Sequence, residues 1–204
     1  MDAMSLLLGR RSADAKKLAA PAPSAEELDR ILRAGLTAPD HGAIRPWRFF
    51  VITGEARARL GDLFVEATAK REPDLPDKKL EDQRGKPLRA PMIIAVAARI
   101  LADHPKVPAV EQREAAMAAA QNMLLASEAL GYGAVFLTGP NTYDQRVKSA
   151  FGLEEKDALV GFLYIGTPNE PMKNKQRLEP WQVTRQWAGA GDMEPLAVLE
   201  QEQQ

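Results

Sequence analysis

The chain has 204 residues, with 14 Gly, 15 Pro, no Cys and a formal net charge of -1 from 27 basic and 28 acidic residues. With 45% apolar and 27% charged residues it is a globular composition, long enough for one domain or slightly more. Absence of Cys excludes disulfides, thiolate metal sites and a thiol nucleophile, and the balanced charge argues against a general nucleic-acid binder. Only two histidines are present, His41 and His104, so a multi-histidine metal centre is not expected. No apolar run reaches the roughly 18 residues of a membrane span, and no basic-then-apolar leader opens the sequence. A soluble cytoplasmic protein is expected.

In chain order, Ser5 to Leu8 reads as the end of a short helix with Asp2 as a candidate cap. Gly9-Arg10-Arg11-Ser12 follows, then an Ala-rich turn to Pro21 and Pro23. Ser24-Ala25-Glu26-Glu27 has capping-box spacing, and Leu28, Ile31, Leu32 and Leu36 continue it as an amphipathic helix that breaks near Pro39. Trp47 to Thr53 is aromatic and β-branched, which predicts a buried strand. Glu55 to Lys70 is helical, with Leu60, Leu63, Phe64 and Ala67 on one face. Residues 71–90 are highly charged and interrupted by Pro73, Pro76 and Pro87, with Pro91 just beyond, which predicts a mobile irregular segment.

Met92 to Ala97 predicts a second buried strand. Glu111 to Leu130 is the longest helix candidate, apolar on nearly every face and therefore expected to be enclosed on several sides. Gly131-Tyr132-Gly133 ends it, and Ala134 to Leu137 predicts a third strand closed by Thr138-Gly139-Pro140. Tyr143 to Ala150 is a short helix, and Ala158 to Ile165 a fourth strand. The remainder carries Pro168, Pro171, Pro180, Trp181 and Trp187, reads as extended, and ends in a frayed Gln201 to Gln204. The order suggests an α+β sandwich around one mostly antiparallel sheet. Residues 1–187 form the expected single domain and 188–204 a peripheral or partly disordered tail.

Three stretches offer chemistry. Arg10, Arg11 and Ser12 bring two guanidiniums and a hydroxyl that can grip a phosphate, although a solvated basic cap reads the same way locally. Asp40-His41-Gly42-Ala43-Ile44-Arg45 precedes a Pro-Trp that opens a strand, so it is either a site loop or a turn in which Asp40 bonds its own backbone. Phe136-Leu137-Thr138-Gly139 is a strand end whose backbone can approach a planar ligand, or a plain terminus. His104, in Asp103-His104-Pro105, reads as a surface turn residue. No dinucleotide fingerprint, phosphate loop, zinc-protease motif or nucleophile elbow is present.

Taken as an ordered set, these segments resemble the FMN-dependent nitroreductase family, in its compact YdjA-like subgroup. The resemblance rests on Met1 to Ser12, Arg33-Ala34-Gly35 through Asp40-His41 to Ile52, the long helix through Gly131-Tyr132-Gly133 to Gly139, and Val160 to Pro168. It implies an α+β FMN-binding fold acting as a homodimer, with a flavin at each interface and a C-terminal extension crossing to the partner. It matches Arg10, Arg11 and Ser12 to the phosphate end, Thr37 and His41 to positions approaching the flavin from the neighbouring subunit, and Phe136, Leu137 and Thr138 to the ring. Ala126, Ser127, Glu128, Ala129, Leu130 and Gly131 match a stretch linked with the nicotinamide donor. No catalytic side chain, metal, nucleic acid or membrane is implied.

The sequence departs from the family in the Asp40–Arg45 loop. Ala43 stands where many members have Asn and Arg45 where they have Gln, while Lys173, Lys175 and Arg177 are candidates for a basic phosphate motif of uncertain register. The implied activity is hydride transfer from NADH or NADPH through flavin N5 to a nitroaromatic, quinone or similar acceptor, in ping-pong fashion. A flavin-binding protein without physiological nitroreduction, or an oxidase or dehalogenase on the same fold, would share these residues.

Overall fold

A computed structural model describes residues 2–172, 176–189 and 192–195; side-chain placement is not described for Ala188 or for residues 192–195. The chain divides into two compact units, 1–172 and 173–204.

The first unit is built on five antiparallel strands. Helix α1 (Ala3–Gly9) starts at Asp2, whose carboxylate accepts the Ser5 N–H at 3.1 Å. Strand β1 (Leu18–Ala19) is short. Helix α2 (Ala25–Leu36) carries the complete capping box: Ser24 Oγ accepts the Glu27 N–H, and Glu27 accepts the Ser24 N–H at 2.9 Å. Strand β2 (Trp47–Thr53), helix α3 (Ala56–Arg71), helix α4 (Asp77–Arg84), strand β3 (Met92–Ala98) and helix α5 (Ala109–Ala129) follow. Strand β4 (Gly133–Leu137), the short helices α6 (Pro140–Tyr143) and α7 (Gln145–Ala150), and strand β5 (Ala158–Pro168) complete it.

Strand β5 is central. Strand β3 pairs along one edge, β2 lies beyond β3, and the other edge is shared between β4 and β1. Period-two alternation divides the core. Ile93, Ala95 and Ala97 face α3, with Leu60, Phe64, Phe162 and Tyr164; Ile94, Val96 and Ala98 face α2 and α5, with Ile31, Met123 and Leu163. The alanines of α5 let it approach the sheet closely, and Ala116, Ala119 and Ala120 are fully buried.

Four expectations change. Strand β2 is an edge strand in which only Trp47 and Ile52 are buried, because no strand among the described residues pairs beyond it. Segment 71–90 is not irregular: it holds α4 and a 3-10 turn, Lys86–Arg89, that packs beside α3. Proline here starts elements instead of breaking them, at Pro76 as N-cap and Pro87 inside the 3-10 turn. Helix α5 keeps an exposed stripe, with Val110 58% and Met117 43% exposed, so the described residues do not enclose it on every side.

The fourth change lies in the second unit, which is not simply extended. It has helix α8 (Pro180–Val183) and a hairpin of β6 (Arg185–Gly189) and β7 (Asp192–Pro195), with Trp187 opposite Met193 in register. Gln201 to Gln204 lie outside the described residues.

Candidate functional site

The Arg10–Ser12 segment follows α1. Arg10 donates to Ser12 Oγ at 3.3 Å, and the Arg11 N–H donates to Glu128 Oε2 at 3.1 Å. The Ala13 N–H then donates to the Ala134 carbonyl at 3.0 Å, tying the segment to β4. The fold therefore joins the candidate phosphate segment to the end of α5, where the 126–131 stretch lies. Within that stretch Ser127 faces inward: it is fully buried and its hydroxyl donates to the Met123 carbonyl at 2.8 Å. Ala129 and Gly131 are exposed, and Ala126, Glu128 and Leu130 are half-buried.

Thr37 and His41 sit elsewhere. Thr37 caps α2 and accepts from Asn122 Nδ2 on α5 at 3.2 Å; His41 Nδ1 lies 2.6 Å from Glu111 Oε2, also on α5. Both residues are exposed. The loop between them and β2 is backbone-strained. Gly42, Ala43 and Arg45 have φ of 71°, 52° and 53°, and left-handed conformations are costly for the two residues that carry Cβ. A carboxylate holds the turn: Asp40 Oδ2 accepts the Arg45 N–H at 2.5 Å. The Arg45–Asp40 link thus runs through the backbone, and the Arg45 side chain is exposed.

The strand end is shaped by what lies beneath it. Gly161 on β5 has no Cβ; one placed there would stand 2.4 Å from the Phe136 ring. The half-buried Phe136 ring therefore lies over β5 at Gly161. Leu137 points to the opposite face and, with the exposed Thr138, opens a cavity of about 180 Å³. Phe64, Phe162 and Tyr164 form its apolar side, and Lys86 and Arg89 bring two cations to it. Burial and the neighbouring Arg89 and Arg71 charges hold the Lys86 ammonium below the usual lysine range. Burial pushes the Tyr164 phenol up to about 12.

Of the eight cofactor candidates, only Leu137 and Thr138 line this cavity. Arg10, Arg11, Ser12, Thr37, His41 and Phe136 do not. Lys86 and Arg89 were not singled out as site residues by the sequence. Their one signal was a Lys-Pro-x-Arg step just before a buried strand, inside a segment that charge and proline marked as irregular. Lys173 and Lys175 lie outside the described residues, and Arg177 lies in the second unit. Among the described residues no cluster of three or more His, Cys, Asp or Glu could hold a metal, and no helix is long and apolar enough to cross a membrane.

The sequence model described as "Nitroreductase family" matches residues 7–167, most of the chain. The chain belongs to the nitroreductase family. It is 45% identical over 168 residues to the Escherichia coli (strain K12) protein named "Putative NAD(P)H nitroreductase YdjA", covering 82% of this chain and 89% of that protein. Among solved structures, the nitroreductase-like family protein of Bacillus cereus superposes with a TM-score of 0.77 at 24% identity, over 93% of this chain and 97% of that one. A nitroreductase from Desulfovibrio desulfuricans, solved in complex with FMN, superposes with a TM-score of 0.65 at 26% identity, over 86% and 91%. The α+β nitroreductase fold is therefore the fold of this chain, as the ordered segments implied.

Proposed function

We propose that this nitroreductase-family chain binds FMN and is an oxidoreductase that uses NADH or NADPH to reduce an electron-poor acceptor such as a nitroaromatic or a quinone. The observation that carries the reading is the family match over 7–167 combined with 45% identity to a protein named for NAD(P)H nitroreduction. The chemistry FMN supplies when bound is hydride exchange at N5, with donor and acceptor taking turns in a ping-pong cycle. The protein contributes binding, orientation and electrostatics.

The donor set suits that cofactor. Arg10 and Ser12 already share a hydrogen bond, so a phosphate between them would meet a preformed, charge-assisted pair of donors. The edge of β4 that no described strand pairs, at Leu137–Thr138, offers backbone groups to a planar ring. Thr37 and His41 do not line the Thr138 cavity of their own chain, which agrees with their reaching the flavin of a second copy. We therefore read the active form as a homodimer with a flavin at each interface. The exposed Met4, Leu7 and Leu8 of α1, with Val110 and Met117 of α5, are the apolar surface that a second copy would cover. Residues 1–187 are the FMN-binding domain in this reading, 188–204 are its tail, the C-terminal extension crosses to the partner, and the enzyme works in the cytoplasm. The exposed end of α5, Glu128 to Gly131, is where the nicotinamide donor approaches.

The test is direct. Heat-released cofactor should chromatograph as FMN, and anaerobic NADPH should bleach the protein until an acceptor restores its colour. Arg10→Ala should weaken FMN by about 10- to 150-fold, as losing a charge-assisted bond of about 1.5–3 kcal/mol requires, and leave riboflavin nearly unaffected. Bound flavin without turnover would instead mark a flavin-binding protein, and a colourless protein that cannot be reconstituted would defeat the reading.

A further inference from the structure

Helix α5 grips both residues that the FMN reading sends toward a second copy. Asn122 Nδ2 donates to Thr37 Oγ1 at 3.2 Å, and Glu111 Oε2 meets His41 Nδ1 at 2.6 Å. Glu111 and Asn122 are about three helical turns apart, so they share one face of α5. The neighbouring stripe of α5 carries the exposed Val110 and Met117. Glu111 lies in the first turn of α5, where a carboxylate also favours the helix dipole. That position explains an acid there, but not its bond to a ring 70 residues away. The meeting is set from beneath. Gln112, the next residue, is buried and donates to the carbonyls of Leu101 and Val107. Val107 Cγ2 stands 3.2 Å from where a Gly42 Cβ would be, next to His41. The Arg45 N–H closes the loop on Asp40 Oδ2. One buried glutamine thus braces both members of the Glu111–His41 pair.

A carboxylate only accepts, so the hydrogen of this bond is on His41 Nδ1. Nε2 is the ring nitrogen left over, and it has no hydrogen-bond partner among the described residues. His41 is exposed and Glu111 half-buried. A carboxylate at one ring nitrogen fixes both the tautomer and the orientation of an imidazole. We propose that Glu111 is a positioning residue of the flavin site: it holds His41 by Nδ1, so that Nε2 is the atom presented across the interface to the flavin of a second copy. This role rests on the FMN reading and adds to it a residue that acts on the cofactor only through His41. An exposed histidine without the bond would turn freely, and ordering it on contact would weaken that contact. Neutral Nε2 accepts a hydrogen bond and protonated Nε2 donates one, so the same hold serves either form.

The full chain, with heavy nitrogen in its histidines, is observed by NMR with and without FMN, at a pH above the ordinary imidazole range. Only two histidines are present, so His41→Gln assigns both sets of signals. Nδ1 of His41 should carry a hydrogen in both states, and FMN should move the Nε2 signal more than the Nδ1 signal. Glu111→Ala should release Nδ1 to the ordinary tautomer mixture, and Glu111→Gln, whose amide oxygen still accepts, should restore the wild-type pattern. Glu111→Met serves as the second variant should Glu111→Ala fold poorly, with thermal melts as the check. FMN affinity, read by flavin fluorescence, should fall about two- to fivefold in Glu111→Ala, the range of an exposed ion pair. Added to His41→Ala, the same change should cost nothing more. A wild-type Nδ1 without hydrogen overturns the role, as does a tautomer that Glu111→Ala and Glu111→Met leave unchanged. Equal losses of FMN affinity with and without His41 overturn it too, as does bound FMN that moves neither ring nitrogen. A protein that takes up no FMN yet shows the tautomer change keeps the hold of Glu111 on His41 and defeats only the FMN reading.

Discussion

The two faces of the sheet are finished differently. On the α5 face every buried polar group is used. Gln112, 1% exposed, accepts the Leu101 N–H at 2.8 Å and donates to the Leu101 and Val107 carbonyls at 3.0 Å each, and Ser127 bonds back into its helix. On the α3 face the aromatic core of Phe64, Phe162 and Tyr164 borders a cavity of about 180 Å³ that Lys86 and Arg89 also line. Both faces alternate from the same strands, so pattern alone does not separate them. The closed face also positions a loop. Gln112 anchors the 101–107 segment, and Val107 lies 3.2 Å from where a Gly42 Cβ would be, beneath the turn that carries His41.

Substitutions can break this contrast. The largest effect is expected from Gln112→Ala, which strands three backbone groups. Each buried group left unpaired costs about 1–3 kcal/mol, so urea melts should show a loss of several kcal/mol. Gly161→Ala comes next. Its new Cβ would meet the Phe136 ring at 2.4 Å and the Leu137 carbonyl at 2.9 Å, an overpacking that costs about 1–3 kcal/mol. It should lower the melting temperature and loosen the β4 end, which amide exchange of residues 135–138 would report.

On the open face, Lys86→Met should cost little stability at neutral pH and change its pH dependence. The folded lysine is held below the ordinary range near 10.4, so the unfolded chain binds more protons and stability rises as pH climbs through the folded pKa. Urea melts at pH 7 and pH 10 should show this rise in the wild type and lose that part of it in the variant.

The smallest effect is at Glu27. The Ser24 backbone N–H, followed by the Tyr132 hydroxyl at 2.8 Å, holds its carboxyl below the usual range. A lowered folded pKa stabilises above the unfolded value, near 4.3, and that contribution fades as pH falls through the folded one. Glu27→Gln should therefore reduce stability at pH 7 modestly and leave it nearly unchanged at the acid end, by thermal melts across pH 3 to 7.

Local patterns were enough for most elements. Ser24 and Glu27 announced the start of α2 because a capping box acts within four residues. The apolar runs of β3 and β5 announced buried strands because those strands are covered on both faces. Trp47 to Thr53 carries an equally apolar run, yet it lies at the edge, since position in a sheet depends on partners far along the chain. The same limit hid Lys86 and Arg89. Charge and proline described their segment correctly as polar and punctuated, but its packing beside α3 is a contact that no short window contains.

The sequence by itself determined the family, the helix caps, the buried strands, and the residues Arg10 to Ser12, Thr37, His41 and Phe136 to Thr138 as candidates, because each depends on neighbours a few residues away or on an ordered set of short segments. Only the tertiary structure decided which of them share a space. It brought Leu137 and Thr138 to a cation-lined cavity with Lys86 and Arg89, turned Ser127 inward, and set Thr37 and His41 against α5. The cavity follows from the crossing of β4, β5 and the 86–89 turn, where side chains from segments far apart in sequence meet, and electrostatics and burial at such a meeting depend on distance in space, not on distance along the chain.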